Sequence, residues 1–529
     1  MRDIQTPGRS PIMSTHGMAA TSHPMATEAA LKVLRDGGNA MDAAIAASAV
    51  LCVVEPQSTG IGGDCFFLYH DAKSKKLHGY NGSGRAPAAA TLEAFQAKGL
   101  TEIPERGILS VSVPGAIEAW EAAIERFGTC SLGDALRPAI QLAKEGYAIT
   151  PVVSKYWKLH EPLLEKWESS SQALLVNGRA PETGTVHRQP NLAATMEAIA
   201  QKGSAGFYQG AVAEEIGRFC QANGGLLTEE DLAAHKGEWV EPIQTDYKGV
   251  TLYEIPPNGQ GITALMALNI LENAKLEKME HLSTDYIHTV VEAYKLAMAE
   301  RDRYVADPAF GAVPVEAMLN KAFGKTQFDR IQQSSALPHP LPSALGEHKD
   351  TVYLTVVDKD RNACSFINSL FHNFGSGVVA GETGVMLQNR GSGFLLQEGH
   401  PNCIEPGKRP FHTIIPAMAY RDGNPILSYG VMGGYYQPMG HLYVLSNWLD
   451  FGMDIQEAID APRFLPGEGV LTLEHTIPEA TRSALTQRGH QVAVGDLPFG
   501  GGQAIYIDAQ NGVLHAGSDP RKDGCALGY

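Results

Sequence analysis

At 529 residues the chain could hold several ordinary domains, and with 44% hydrophobic and 19% charged residues it can bury a large core. A formal charge of −16 argues against nucleic acid and anionic membrane surfaces as partners. No window approaches the roughly 20 apolar residues of a membrane span, and the first residues lack the apolar core of a signal peptide. Seven cysteines without paired spacing suit reduced thiols, so the expectation is a cytoplasmic protein.

Thr27 to Val53 reads as a helical region broken at Gly37-Gly38-Asn39. Its second half, from Ala40, is small and apolar on every side, the pattern of a buried helix. Gly60-Ile61-Gly62-Gly63-Asp64 has no lysine at P-loop spacing and completes no dinucleotide fingerprint, so its glycines predict tight backbone packing. Cys65 to Tyr69 and Lys76 to Tyr80 form a hairpin pattern leading into Asn81 to Pro87, a loop whose Arg85 could fork onto a carboxylate. Thr228, ahead of Glu229-Glu230-Asp231, reads as a helix N-cap. Tyr253 to Gly261 opens a helix at Ile262. Thr284 to Tyr304 is a long amphipathic helix carrying His288 and Glu292 at i, i+4. Without a second histidine that pair reads as a salt bridge or core contact, and neither a metal nor any other cofactor is expected.

Ser334 to Gly346 is rich in proline and small polar residues, an exposed-loop composition. From Thr351 to Val357 the chain turns β-branched and aromatic, stops at Asp358-Lys359-Asp360-Arg361-Asn362, and resumes with Ala363 to Ile367: a β-hairpin. A strand-like run, Pro425 to Tyr429, leads to Gly430-Val431-Met432-Gly433-Gly434. Two consecutive glycines let backbone N–H groups point at one spot, as an oxyanion hole requires. No Gly-x-Ser-x-Gly elbow occurs in a strand-to-helix setting, which argues against a serine-triad hydrolase. Helical and strand segments alternate without fixing a topology.

Asp350-Thr351-Val352-Tyr353-Leu354-Thr355-Val356-Val357-Asp358, with Phe374-Gly375-Ser376-Gly377 and Gly381-Glu382-Thr383-Gly384 downstream, resembles the start of the small subunit in γ-glutamyltranspeptidases. These are N-terminal-nucleophile (Ntn) hydrolases. Gly37 to Ala44, Val111 to Ala116, Phe451 to Phe464 and Gly517 to Gly524 match the same family in order, over nearly the whole chain. The resemblance implies an α/β (α+β) fold, a four-layer αββα sandwich of two stacked antiparallel sheets made from one autoprocessed precursor. Residues 1–350 would form the large subunit and 351–529 the small one, a pair that could assemble further into a dimer of heterodimers.

By that resemblance the precursor cuts itself between Asp350 and Thr351, and Thr351 becomes a new N-terminus and the nucleophile. The chemistry is sound. A threonine hydroxyl needs a base, and a free α-amino group, with a pKa of about 7.7–8.0, can be one. Ser369 stands where a family threonine bonds the catalytic hydroxyl, and Gly433 and Gly434 stand at the oxyanion hole. Arg85 lies near the arginine that grips the substrate carboxylate, displaced by about two positions. Asn368 belongs to a segment of polar side chains around the nucleophile, and His412-Thr413 replaces paired serines.

Other positions depart from the family pattern. Phe371 stands where an asparagine serves the glutamyl head, and Arg390 and Gly393 stand where Gln or Glu and an Asp hold the substrate's α-amino group. Arg390 would repel an ammonium and could anchor a carboxylate instead. The Phe394 to Lys408 segment is short and lacks the family's lid loop, which favours hydrolysis over transfer. The substrate is therefore a γ-glutamyl amide such as glutathione or, alternatively, a small carboxylate amide without an α-amino group, such as oxamate. A glutaryl or cephalosporin acylase, or a processing-dead binding protein, are weaker alternatives.

Overall fold

The computed structural model describes residues 8–338, 351–467 and 469–529. Two seven-stranded sheets lie face to face. One runs, in spatial order, Ile12–Ser14, Val513–Ser518, Gly501–Asp508, Asn424–Met432, Ala417–Arg421, Val250–Glu254 and Ile243–Tyr247. The other runs Cys525–Gly528, Met18–Thr21, Val352–Val357, Ala363–Ser369, Asp64–Asp71, Lys76–Gly82 and Glu238–Val240. Every pairing in both is antiparallel. Helices cover both outer faces, which gives the four-layer αββα sandwich.

The Val352–Val357 strand shows why the residue pattern yields this architecture. Successive side chains point to opposite faces of a sheet. Val352, Leu354 and Val356 enter the core under one helical layer, while Tyr353 and Val357 enter the core between the sheets. A strand buried on both faces has no polar side to show, so it reads as an unbroken β-branched and aromatic run. The hairpin partner, Ala363–Ser369, obeys the same rule: Cys364 and Phe366 face the helices, Ala363 and Ile367 the opposite sheet. Tyr353 needs room between the sheets, and Gly430 of the facing strand supplies it. A Cβ there would lie 2.5 Å from the tyrosine ring.

The helical layer over the second sheet contains the Ala40–Val54 helix, buried along its whole length as its composition predicts. Asn39 caps it reciprocally with Asp42, so the break at Gly37-Gly38-Asn39 is a helix start as well as a stop. Thr228 caps the Glu229–Ala233 helix in the same way, with Asp231 reciprocating. On the far side, Gly261–Leu271 and the 21-residue Thr284–Tyr304 helix back the first sheet. Among the described residues no helix is long and apolar enough to cross a membrane.

Candidate active site

Thr351 immediately precedes its strand and shares the parity of Tyr353, so it lies on the face turned toward the other sheet. It is fully buried. Asp350, the expected cleavage position, lies outside the described residues. Opposite Thr351, at the end of the neighbouring strand, sits Ser369, with the two hydroxyl oxygens 3.0 Å apart. Ser369 Oγ also accepts the Phe371 N–H at 2.8 Å and Arg390 Nη2 at 3.1 Å. A serine hydroxyl has two acceptor positions and one proton to give. With both positions filled, Ser369 donates its proton to Thr351 Oγ1. The threonine oxygen is then an acceptor toward Ser369, and its own proton is directed away from Ser369.

Arg390 is the other constituent of this centre. It is fully buried, its guanidinium lies 4.1 Å over the Phe371 ring, and Nη1 donates to Thr413 Oγ1 at 2.7 Å. Its Nε has no hydrogen-bond partner, and no carboxylate among the described residues pairs with it. Burial pulls its pKa down to about 9, with the more distant Asp64 opposing. The group still carries its charge at neutral pH. Phe371 holds a left-handed backbone (φ +84°) that costs a non-glycine residue about 1–3 kcal/mol. Its ring is sandwiched between Arg390 and His372, the latter at 4.2 Å.

Behind Arg390 lies a second polar layer. His412 Nδ1 accepts the Ile414 N–H at 3.3 Å, so its proton is on Nε2 and is donated to Asp64 Oδ2 at 3.0 Å. Burial holds the imidazole well below its ordinary pKa and thus neutral. Asp64 Oδ1 accepts from Gly84 N, Gly115 N and Gln388 Nε2 at 2.9–3.0 Å. Burial nevertheless pushes its carboxyl up to about 6, against the pull of Arg390 and these donors.

The glycine pair ends the Asn424–Met432 strand. Gly433 has φ +126° and Gly434 φ +57°, and a Cβ on Gly433 would come within 2.9 Å of Gly500 Cα. Only glycine fits that turn without strain. A chain of contacts ties it to Thr351. Gln260 Nε2 bonds the carbonyls of Gly434 and Thr413, Thr413 holds Arg390, and Arg390 holds Ser369. The earlier glycine turn is packing, as predicted: a Cβ on Gly63 would meet the Ser369 carbonyl at 2.2 Å.

The structure therefore gathers Thr351, Ser369, Arg390, His412, Thr413 and, through Gln260, Gly434 with its neighbour Gly433. It does not bring two other expected residues to them. Arg85 is one-third exposed, bonds the Gly407 carbonyl at 3.0 Å and approaches Asp307 at 3.9 Å. Asn368 is adjacent to Ser369 on a strand and so faces the other way, donating to Thr59 Oγ1 at 2.8 Å and the Gly60 carbonyl at 3.2 Å. Gly393 offers no side chain, and its carbonyl accepts from Asn402 Nδ2 at 2.6 Å. Asp64, Gln260 and Gln388 were not anticipated, although Asp64 closes the Gly60–Gly63 turn, where an acid beginning a strand was a hint. His288 and Glu292 gain a second histidine, His490. His288 Nδ1 and His490 Nε2 bond each other at 2.8 Å, while Lys295 Nζ sits 2.7 Å from Glu292 Oε1. An ammonium already occupies the carboxylate that a metal would need.

Two stacked antiparallel sheets between helical layers are the architecture of the N-terminal-nucleophile hydrolases, and Thr351 stands at the head of a central strand of one of them. The chain belongs to the gamma-glutamyltranspeptidase family, whose family model (Gamma-glutamyltranspeptidase) matches residues 26–529. It is 40% identical to the glutathione hydrolase-like YwrD proenzyme of Bacillus subtilis, over 98% of this chain and 99% of that one. It is 36% identical to the oxamate amidohydrolase proenzyme of Klebsiella pneumoniae, with the same coverage. Among solved structures it resembles the cephalosporin acylase of Bacillus halodurans, with a TM-score of 0.92 and 41% identity, covering 100% of this chain and 99% of that one.

Proposed function

We propose that the chain is a proenzyme that severs its own Asp350–Thr351 bond and then hydrolyses amides whose acyl part carries a carboxylate but no α-amino group. The observation that carries this reading is Arg390: a buried guanidinium one hydroxyl removed from Thr351, with an Nε lacking a partner among the described residues. A buried charge whose counter-charge among the described residues is only the more distant Asp64 is costly, and a planar fork beside the proposed nucleophile suits a carboxylate. An ammonium in the same place would be repelled.

In the proposed reaction Thr351 Oγ attacks the amide carbonyl while the α-amine of Thr351 takes the hydroxyl proton. The oxyanion lies against the Gly433 and Gly434 N–H groups. The C–N bond breaks, the departing amine takes the proton from the α-ammonium, and an ester to Thr351 remains. Water, deprotonated by the same amine, cleaves that ester, releasing the acid and restoring the hydroxyl. The Phe394 to Lys408 stretch supports hydrolysis over transfer. It is folded back by the Leu395–Asn402 and Ile404–Leu395 backbone bonds and packs through Phe394 and Ile404 against Ala86 and Phe95. The same proposal places the enzyme in the cytoplasm, with its seven free cysteines as support.

A γ-glutamyl amide is the second reading, favoured by the likeness to proenzymes named glutathione hydrolase, including one from Escherichia coli at 34% identity. A release assay on processed protein separates the two. Ammonia from oxamate is expected to exceed p-nitroaniline from γ-glutamyl-p-nitroanilide by at least tenfold in kcat/KM. Dominant glutamyl turnover would overturn the role given to Arg390.

A further inference from the structure

Gln260 lies on the loop between the Val250–Glu254 strand and the Gly261–Leu271 helix, on the large-subunit side of residue 351, and is fully buried. Each of its polar groups has a partner. The backbone N–H donates to the His412 carbonyl at 2.9 Å. Nε2 donates to the Thr413 carbonyl at 2.7 Å and the Gly434 carbonyl at 2.9 Å, and Oε1 accepts from Arg301 Nη1 at 3.3 Å. The amide cannot be turned over, because Oε1 would then face two carbonyl oxygens. Arg301 is itself set by Asp302, at 2.6 Å, and by the Phe411 and Tyr435 rings, each 5.3 Å away.

The two carbonyls that Gln260 grips belong to the two segments the reaction depends on. Thr413 orients Arg390, and Gly434 is half of the glycine turn. Two glycines in succession have more conformational freedom to lose than any other pair, and catalytic N–H donors act through preorganisation. We infer that Gln260 is a positioning residue: it fixes the Gly433-Gly434 turn and the Thr413 backbone from across the cleavage point without touching substrate. This rests on the reaction proposed above. It assigns the residue whose loss lowers the rate of the chemical step while substrate is still bound.

The test compares Q260M, which keeps the side chain's length but gives no donor, and Q260E, which aims a carboxylate at two carbonyls, with the parent enzyme. Both should still process, though melting below the parent temperature because buried polar groups lose their partner, with kcat on the released amide per folded molecule down about 10–100-fold and KM within threefold. Amide hydrogen exchange across residues 430–436 should accelerate at least tenfold. A kcat and an exchange rate both within twofold of the parent would overturn the inference, as would a loss confined to KM. Should neither variant fold, Q260N, which keeps the amide one methylene short, is measured the same way and must show the same kcat and exchange pattern. If the parent turns over no amide, the reaction reading fails, and exchange at 430–436 alone decides whether Gln260 holds the turn.

Discussion

Two fully buried arginines serve this molecule in opposite ways. Arg463 is surrounded by partners: the Asp519 carboxylate at 2.5 Å and the backbone carbonyls of Ile459 and Phe499. Burial alone would raise the Asp519 carboxyl, but Arg463 and Arg521 outweigh it and hold the group below its usual range. Among the described residues Arg390 meets two hydroxyls and an aromatic face and forms no ion pair with a carboxylate, and burial pulls its pKa down to about 9 against the opposing pull of Asp64. A satisfied buried charge belongs to the architecture. The other, beside Ser369, is the group to which the proposed function gives the substrate carboxylate.

That contrast can be broken experimentally. The largest effect sets the baseline: Thr351→Ala should abolish turnover and leave one band at 56.7 kDa on a denaturing gel where the parent shows two. Two bands or residual turnover would remove the premise. Next, Arg390→Met should lower kcat/KM for a carboxylate-bearing amide about 100–1,000-fold, while thermal stability holds or rises, since a buried unpaired charge has been replaced by an apolar side chain. Arg463→Met should do the reverse, costing about 3 kcal/mol of stability with turnover per folded molecule unchanged. Denaturant melts run beside kinetics on both variants decide whether the two arginines differ as described.

A smaller effect concerns pH. The Asp64 carboxyl sits at about 6 in the fold, against about 3.9 in an unfolded chain. Between those values the folded protein holds a proton that the unfolded chain lacks. Its contribution to stability therefore grows as pH falls from 6 to 4 and is lost as pH rises through that window, by about 3 kcal/mol at most. Asp64→Asn should flatten that part of the stability–pH curve, and an unchanged slope would refute the assignment. The smallest change is Thr413→Val, which removes one hydroxyl from Arg390 and should raise KM about three- to tenfold, with kcat nearly constant.

Much of the fold was legible because it is written locally. The unbroken apolar run at Val352–Val357, the all-round apolar helix after Asn39 and the Thr228 cap each depend on neighbours within a few residues. Thr351, Ser369 and the glycine pair were reached through likeness to a family. What pattern could not reach are contacts made across the chain. Gln388 meets Asp64 from 324 positions away, Gln260 meets Gly434 across 174, and His490 meets His288 across 202. The placement of Arg85 illustrates the converse. An arginine in a glycine-rich loop looks like a ligand-binding group, yet a nearby carbonyl and Asp307 engage it.

The order of strands carries a last consequence. Val352–Val357 lies between Met18–Thr21 and Ala363–Ser369, and in the facing sheet the run from Ala417 to Ser518 is bracketed by Ile12–Ser14 on one side and Val250–Glu254 on the other. Severing the backbone ahead of Thr351 therefore yields no detachable fragment, since each piece supplies the other's hydrogen-bonded neighbours. The mature particle would be a heterodimer whose interface is its own interior, resistant to dilution and recoverable only from a polypeptide that folded before it was broken.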